Sequence, residues 1–291
     1  MVETGCLQRL TRHLSSSSPP VAANALWTIT HLSDRAANQK KLDELLKTLV
    51  ALLAGSVEPY IMVSVARCIA NLTRESKMNK QLVFQYNGME ALLRALLRAG
   101  RDEALLEPLL TAIRHMTREH PSFGECQKIM RSAGIIGAIV QHMSCVADPV
   151  TGSPAFKWST NRAAVQLVRN LGRNPLNADM IREHGALELL FDLLKMASDQ
   201  RKIRGDQYEM SGVNVRQFIC DILFAFNVLS QNPANCQHLI NLNFIPLCME
   251  MIACQRDTVI DLIVTILSTL AGYPLGRLSS CWPLFIARSC F

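Results

Sequence analysis

Along residues 88–99 the apolar side chains Met89, Leu92, Leu93, Leu96 and Leu97 recur at i, i+3, i+4, i+7 and i+8, with Glu90, Arg94 and Arg98 between them. At about 100° per residue this spacing draws one apolar stripe down a helix. No stretch of similar length alternates apolar and polar residues, so the pattern predicts helices throughout and no sheet. A shorter helix is predicted before each such stretch, over 79–86 closed by Asn87 and Gly88, and over 180–183 closed by His184 and Gly185. Glycine at these corners permits the left-handed residue that ends a helix. A third helix is predicted over 108–117, with Pro108 near its start.

The block recurs along the chain. Segments beginning at Gly5, Gly88, Gly134 and Gly185 share one apolar pattern, and segments beginning at Glu44 and Asn243 are weaker copies, so that successive starts lie 39, 44, 46, 51 and 58 residues apart. A second motif closes each unit, at residues 30–33, 70–73, 114–117, 169–172, 227–230 and 268–271. Periods of about 40–47 residues with helical content indicate an armadillo or HEAT array, and three helices per unit favour the armadillo form. The expected fold class is therefore all-α, an armadillo-repeat right-handed superhelical solenoid over residues 1–280, with a partial first unit and about five more. Loop-forming residues near 144–160 and a polar stretch at 197–212 read as insertions, which cost little closure entropy. The array opens in mid-repeat at Gly5, and residues 281–291 continue no repeat. That reads as a truncated or alternatively ended product with an atypical apolar tail.

Composition narrows the function. Forty-nine per cent of the residues are hydrophobic and 19% charged, which excludes disorder. The net charge of +6 favours acidic partners mildly and is too low for a dedicated nucleic-acid binder, so no direct nucleic-acid contact is expected. Ten cysteines include no C-x-x-C pair and mostly sit in apolar helical runs. They read as reduced thiols packed as small hydrophobes, with no metal site and no cofactor. The best membrane candidate, residues 259–271, contains Asp261 and is shorter than the roughly 20 apolar residues a bilayer requires, so no membrane insertion is expected.

At residues 26–34, 69–73, 77–80, 96–100, 113–117 and 167–171 the chain resembles the armadillo repeats of the β-catenin family, from about residue 3 to about residue 275 and including the placement of the 197–212 insertion. It reads as a divergent member with part of the array, since His31 stands where the family has Asn and Thr30 where it has Arg. The resemblance implies a non-catalytic scaffold whose groove binds extended acidic peptides of the cadherin tail, T-cell factor, axin or the adenomatous polyposis coli protein, in adhesion or Wnt signalling. It implies the cytoplasm, with the nucleus and cell junctions as further compartments. It also implies that Lys80 is the lysine that clamps an acidic ligand residue.

Independently of the family, the third helix of an armadillo unit lines the concave face. Asn71, His115 and Asn170 recur there, each able to hydrogen-bond an extended peptide or, equally, a neighbouring repeat. Arg114 and Arg169, one residue earlier, add positive charge. Arg182, Lys195, Arg201, Lys202 and Arg204 read as solvated charges and His120 as structural. His115 and His120 are five residues apart, about 140° round a helix, and so cannot share a zinc as an i, i+4 pair does. No phosphate-binding or nucleophile-elbow motif occurs, and no enzyme is expected. Two other readings stay open: an importin-α-like nuclear transport adaptor, for which Trp27 is followed by His31 rather than Asn, and an armadillo scaffold for an unrelated partner.

Overall fold

The computed structural model describes residues 6–14, 16, 18–35, 42, 45–56, 58–143, 146–147, 154–155, 157–210, 212–253 and 258–273. The tail at 281–291, Gly5 and most of the 144–160 insertion lie outside them. The chain divides into two compact units, one up to Ile135 and one from Ile136.

The first unit holds α1 (Cys6–Leu14), α2 (Pro19–Ser33), α3 (Leu46–Gly55), α4 (Pro59–Thr73), α5 (Lys77–Gln85), α6 (Gly88–Ala99), α7 (Glu103–Met116) and α8 (Phe123–Ser132). The second holds α9 (Ile136–Gln141), α10 (Trp158–Leu171), α11 (Pro175–Glu183), α12 (Ala186–Arg204), α13 (Val215–Leu229), α14 (Pro233–Asn241), α15 (Phe244–Ala253) and α16 (Thr258–Ala271). In α5–α7 and in α11–α13 a repeat is a short helix, a longer one and a third. The expectation of no sheet is corrected by two small antiparallel pairs. One joins β1 (Val146–Ala147) to β2 (Pro154–Ala155), the other β3 (Glu209–Met210) to β4 (Val213–Asn214).

Local chemistry sets the boundaries. Ser76 caps α5 by accepting from the Asn79 amide at 3.1 Å, and Asp102 caps α7 by accepting from the Ala104 amide at 3.0 Å. The Asp102 cap starts α7 at Glu103, so Pro108 lies inside that helix rather than near its start. At the α5–α6 corner the left-handed residue is Asn87, with φ 58°, and not the glycine after it. Gly88 is needed there for another reason. A Cβ would stand 2.4 Å from the Val83 Cγ1 and 2.7 Å from the Val83 carbonyl oxygen. At the α11–α12 corner the glycine itself is left-handed, Gly185 with φ 78°.

The stripe on α6 is buried at Met89, Leu92, Leu93 and Leu96, but Leu97 is 62% exposed. Eight residues on from Met89, Leu97 lies about 80° round the helix and falls off the edge of the stripe. In the first unit Leu49, Leu53, Val65, Ile69, Leu72, Leu92, Leu109 and Ile113 are fully buried between successive repeats. The second unit is filled by larger rings, with Trp158 edge-on to Phe218 at 5.4 Å and Phe226 tilted against Phe244 at 4.6 Å.

A polar device recurs where one repeat meets the next. Buried amides on the first helix of a repeat donate to carbonyls ending the preceding third helix: Asn79 to Leu72 at 2.9 Å, Gln127 to Thr117 at 3.0 Å and Asn235 to Leu229 at 3.0 Å. Each supplies a donor to a helix end that would otherwise bury orphan carbonyls. The polar stretch at 197–212 is only partly a loop, because α12 continues to Arg204. Arg201, expected to be solvated, is 7% exposed, and its guanidinium grips the Asp206 carboxylate with two hydrogen bonds that fix the turn into β3.

Candidate cationic site on the third helices

In the first unit the helices α2, α4 and α7 are third helices of consecutive repeats, and Asn71, Arg114 and His115 sit at their C-terminal ends. His115 is 6% exposed. Its Nδ1–H donates to the Ala70 carbonyl at 3.0 Å, which fixes the tautomer, so Nε2 accepts from the Arg114 guanidinium at 2.8 Å. Burial first, and then the field of Arg114, push the imidazole pKa down to about 3, so it is neutral at physiological pH. Asn71 also serves the neighbouring repeat. Its amide donates to the Ser33 hydroxyl at 3.1 Å and its carbonyl accepts from Arg74 at 3.1 Å. Asn71 and Arg74, with Thr30, His31, Arg67 and Glu107, line a cavity of about 270 Å³.

Lys80, on α5, is 1% exposed and donates to the Arg118 carbonyl at 3.2 Å. Its pKa falls from 10.5 to about 8, chiefly because it is buried and then because Arg118, Lys77 and Arg114 surround it with like charge. Lys80, Arg114 and His115 are thus one electrostatic cluster, with Asn71 beside it through Arg74. Lys77 and Arg118 also belong to it. Arg118 lies one residue beyond the recurring motif at 114–117, and that adjacency was the available signal. His120 is buried and bonded through Nε2 to the Met116 carbonyl at 2.7 Å, the structural role expected of it.

In the second unit Asn170 is 1% exposed on α10. Arg169 lies over the Phe224 ring, 5.6 Å from its centroid, and burial lowers its pKa, with Asp221 opposing that shift.

Residues 1–34 match the family model described as "Armadillo/beta-catenin-like repeat". Junction plakoglobin from Homo sapiens is 31% identical over 275 residues, covering 93% of this chain and 36% of that protein. The Armadillo segment polarity protein from Musca domestica is 32% identical over 262 residues, covering 87% of this chain and 31% of that protein. The chain belongs to the β-catenin-like armadillo-repeat family. It spans about a third of the length of these curated relatives. The armadillo fold is matched by a solved structure from work on a conserved phosphorylation switch controlling the interaction between cadherin and β-catenin. The TM-score is 0.82 at 23% identity, over 94% of this chain and 55% of that one.

Cys68, Cys126, Cys236 and Cys248 are buried free thiols, and burial raises the pKa of each, to about 11 for Cys68 and about 12 for Cys126. Among the described residues no three His, Cys, Asp or Glu side chains are placed to hold a metal ion, and no helix is long and apolar enough to cross a membrane. Trp27 is 61% exposed and packs edge-on against His31 at 4.1 Å, so the tryptophan of the importin-like pattern is paired with an imidazole rather than an amide.

Proposed function

We propose that this armadillo-repeat chain is a non-catalytic scaffold that binds extended acidic peptides through the cation cluster of its first unit. The supporting observation is that the Lys80 amine lies in the field of Arg118, Lys77 and Arg114 and makes its hydrogen bond to a neutral carbonyl. A ligand carboxylate entering this cluster relieves repulsion that the free protein must tolerate. Lys80 is the anchor, released from the Arg118 carbonyl to meet the carboxylate. Arg114 is held in place by His115, while Asn71 keeps the adjoining repeats in register. In the second unit Arg169 and Asn170 play the corresponding parts, with less free charge to offer.

The partners proposed are acidic segments of cadherin tails, T-cell factor, axin and the adenomatous polyposis coli protein. The setting is the cytoplasm and cell junctions, with the nucleus where transcription partners are met. The test is a titration of cadherin-tail and T-cell-factor peptides, and of a basic peptide of equal length, at low and high salt. Binding of the acidic peptides that weakens with salt supports the proposal. Preference for the basic peptide, or no binding of either acidic one, overturns it.

A further inference from the structure

The second unit contains a cavity of about 620 Å³ between α10, α13 and the β3–β4 turn, lined by Arg162, Arg216, Asp206, Glu209, Asp221 and Phe224 among others. Its charges are paired with one another. The Asp221 Oδ2 accepts from the Arg162 Nε at 2.7 Å and from the Gln166 Nε2 at 2.7 Å. Arg162 also donates to the Gln217 Oε1 at 3.2 Å. Asp206 is gripped by Arg201 and also feels Arg216, so a second carboxylate answers the other arginine of the wall. Asp221 is 8% exposed, and a charge so buried is held where it is by its partners. Arg162 and Asp221 stand 59 residues apart in sequence, on the third helices of consecutive repeats, so the pair is a product of the stacking.

We propose that Asp221 is a specificity-determining residue. Its carboxylate occupies the place on Arg162 that a ligand carboxylate would take, and so confines acidic segments to the cluster around Lys80. This deepens the proposed function and rests on it for the ligand class. The chemistry is competition for one guanidinium: a charge-assisted partner already bonded to Nε at 2.7 Å, with Gln217 on the same guanidinium, leaves an incoming carboxylate to face Asp221 as a like charge.

The test uses the full chain and a labelled Asp- and Glu-rich peptide. Asp221→Asn keeps the shape and both acceptor contacts while removing the charge. It should raise affinity for this peptide by roughly tenfold, with a steeper loss on adding salt. Arg162→Gln placed on Asp221→Asn should abolish the gain. Arg162→Gln alone should leave affinity within about twofold of wild type, because the guanidinium is engaged with Asp221. A purely structural Asp221 would give no gain of affinity. Measuring Asp221→Asn on the Lys80→Glu background separates the two proposals, since the gain in the second unit survives there even if Lys80 is not the anchor. No gain with a folded Asp221→Asn overturns the inference. So does an Arg162→Gln chain that loses as much affinity as Lys80→Glu, and this second measurement decides the matter if Asp221→Asn does not fold.

Discussion

His115 reaches back from α7 to the preceding repeat and donates its Nδ1 proton to the Ala70 carbonyl at 3.0 Å, which leaves Nε2 to accept from Arg114. Protonation would place a second cation against Arg114 and break that contact. With a folded pKa near 3 and an ordinary value of 6.5, the unfolded chain binds a proton in that window that the folded chain refuses. Stability therefore falls as pH drops below about 6.5, by up to about 1.4 kcal/mol per unit. Chemical denaturation of wild type and His115→Gln between neutral pH and about pH 5, above most carboxylate titrations, should show a shallower fall in the variant. Equal slopes would contradict the assignment.

Lys80 gives an alkaline counterpart. Its pKa of about 8 lies below the ordinary 10.5, so between those values the unfolded chain holds a proton that the folded chain has lost. The contribution of Lys80 to stability is thus present above about 10.5 and is lost as pH falls through about 8. Lys80→Met should flatten that rise in stability with pH. An acidic ligand pulls the pKa back up, so its binding should take up a proton and weaken as pH passes about 8. A binding constant flat across that range would argue against contact with Lys80.

Gly88→Ala should be destabilising although α6 is a helix in which alanine is otherwise favoured. The new methyl would meet the Val83 side chain at 2.4 Å and the Val83 carbonyl at 2.7 Å, and the carbonyl cannot step aside. Overpacking of this kind costs about 1–3 kcal/mol. An unchanged melting temperature would show that the α5–α6 corner relaxes freely.

The helical class, the three-helix unit seen in α5–α7 and the placing of the recurring motif on α2, α4, α7, α10, α13 and α16 were legible in the sequence, because helical period and repeat spacing are local signals. The burial of Cys68 and Cys248 followed from the same pattern. What escaped depended on partners far away in sequence. Asn71 is a residue of suitable chemistry for a ligand, yet its amide is committed to Ser33, 38 residues earlier. Arg201 looked like one charge of a solvated run until the turn folded Asp206 back onto it. Asp221 sits in an apolar run and carries no motif, and its pairing with Arg162 exists only once two repeats stack. Pro108 looked like a helix start, but Asp102 had already supplied the cap.

The most direct measurement is a calorimetric titration of an Asp- and Glu-rich peptide into wild type, Lys80→Glu and Lys195→Glu, with cooperative melting confirmed for all three. Lys195 is exposed on α12, in the second unit. Lys80→Glu should cost about 2–5 kcal/mol of binding, as expected when one partner of a desolvated charge pair is reversed. Lys195→Glu should cost less than about 1 kcal/mol. Equal affinities for folded Lys80→Glu and wild type would contradict the claim that the Lys80 cluster anchors the acidic ligand.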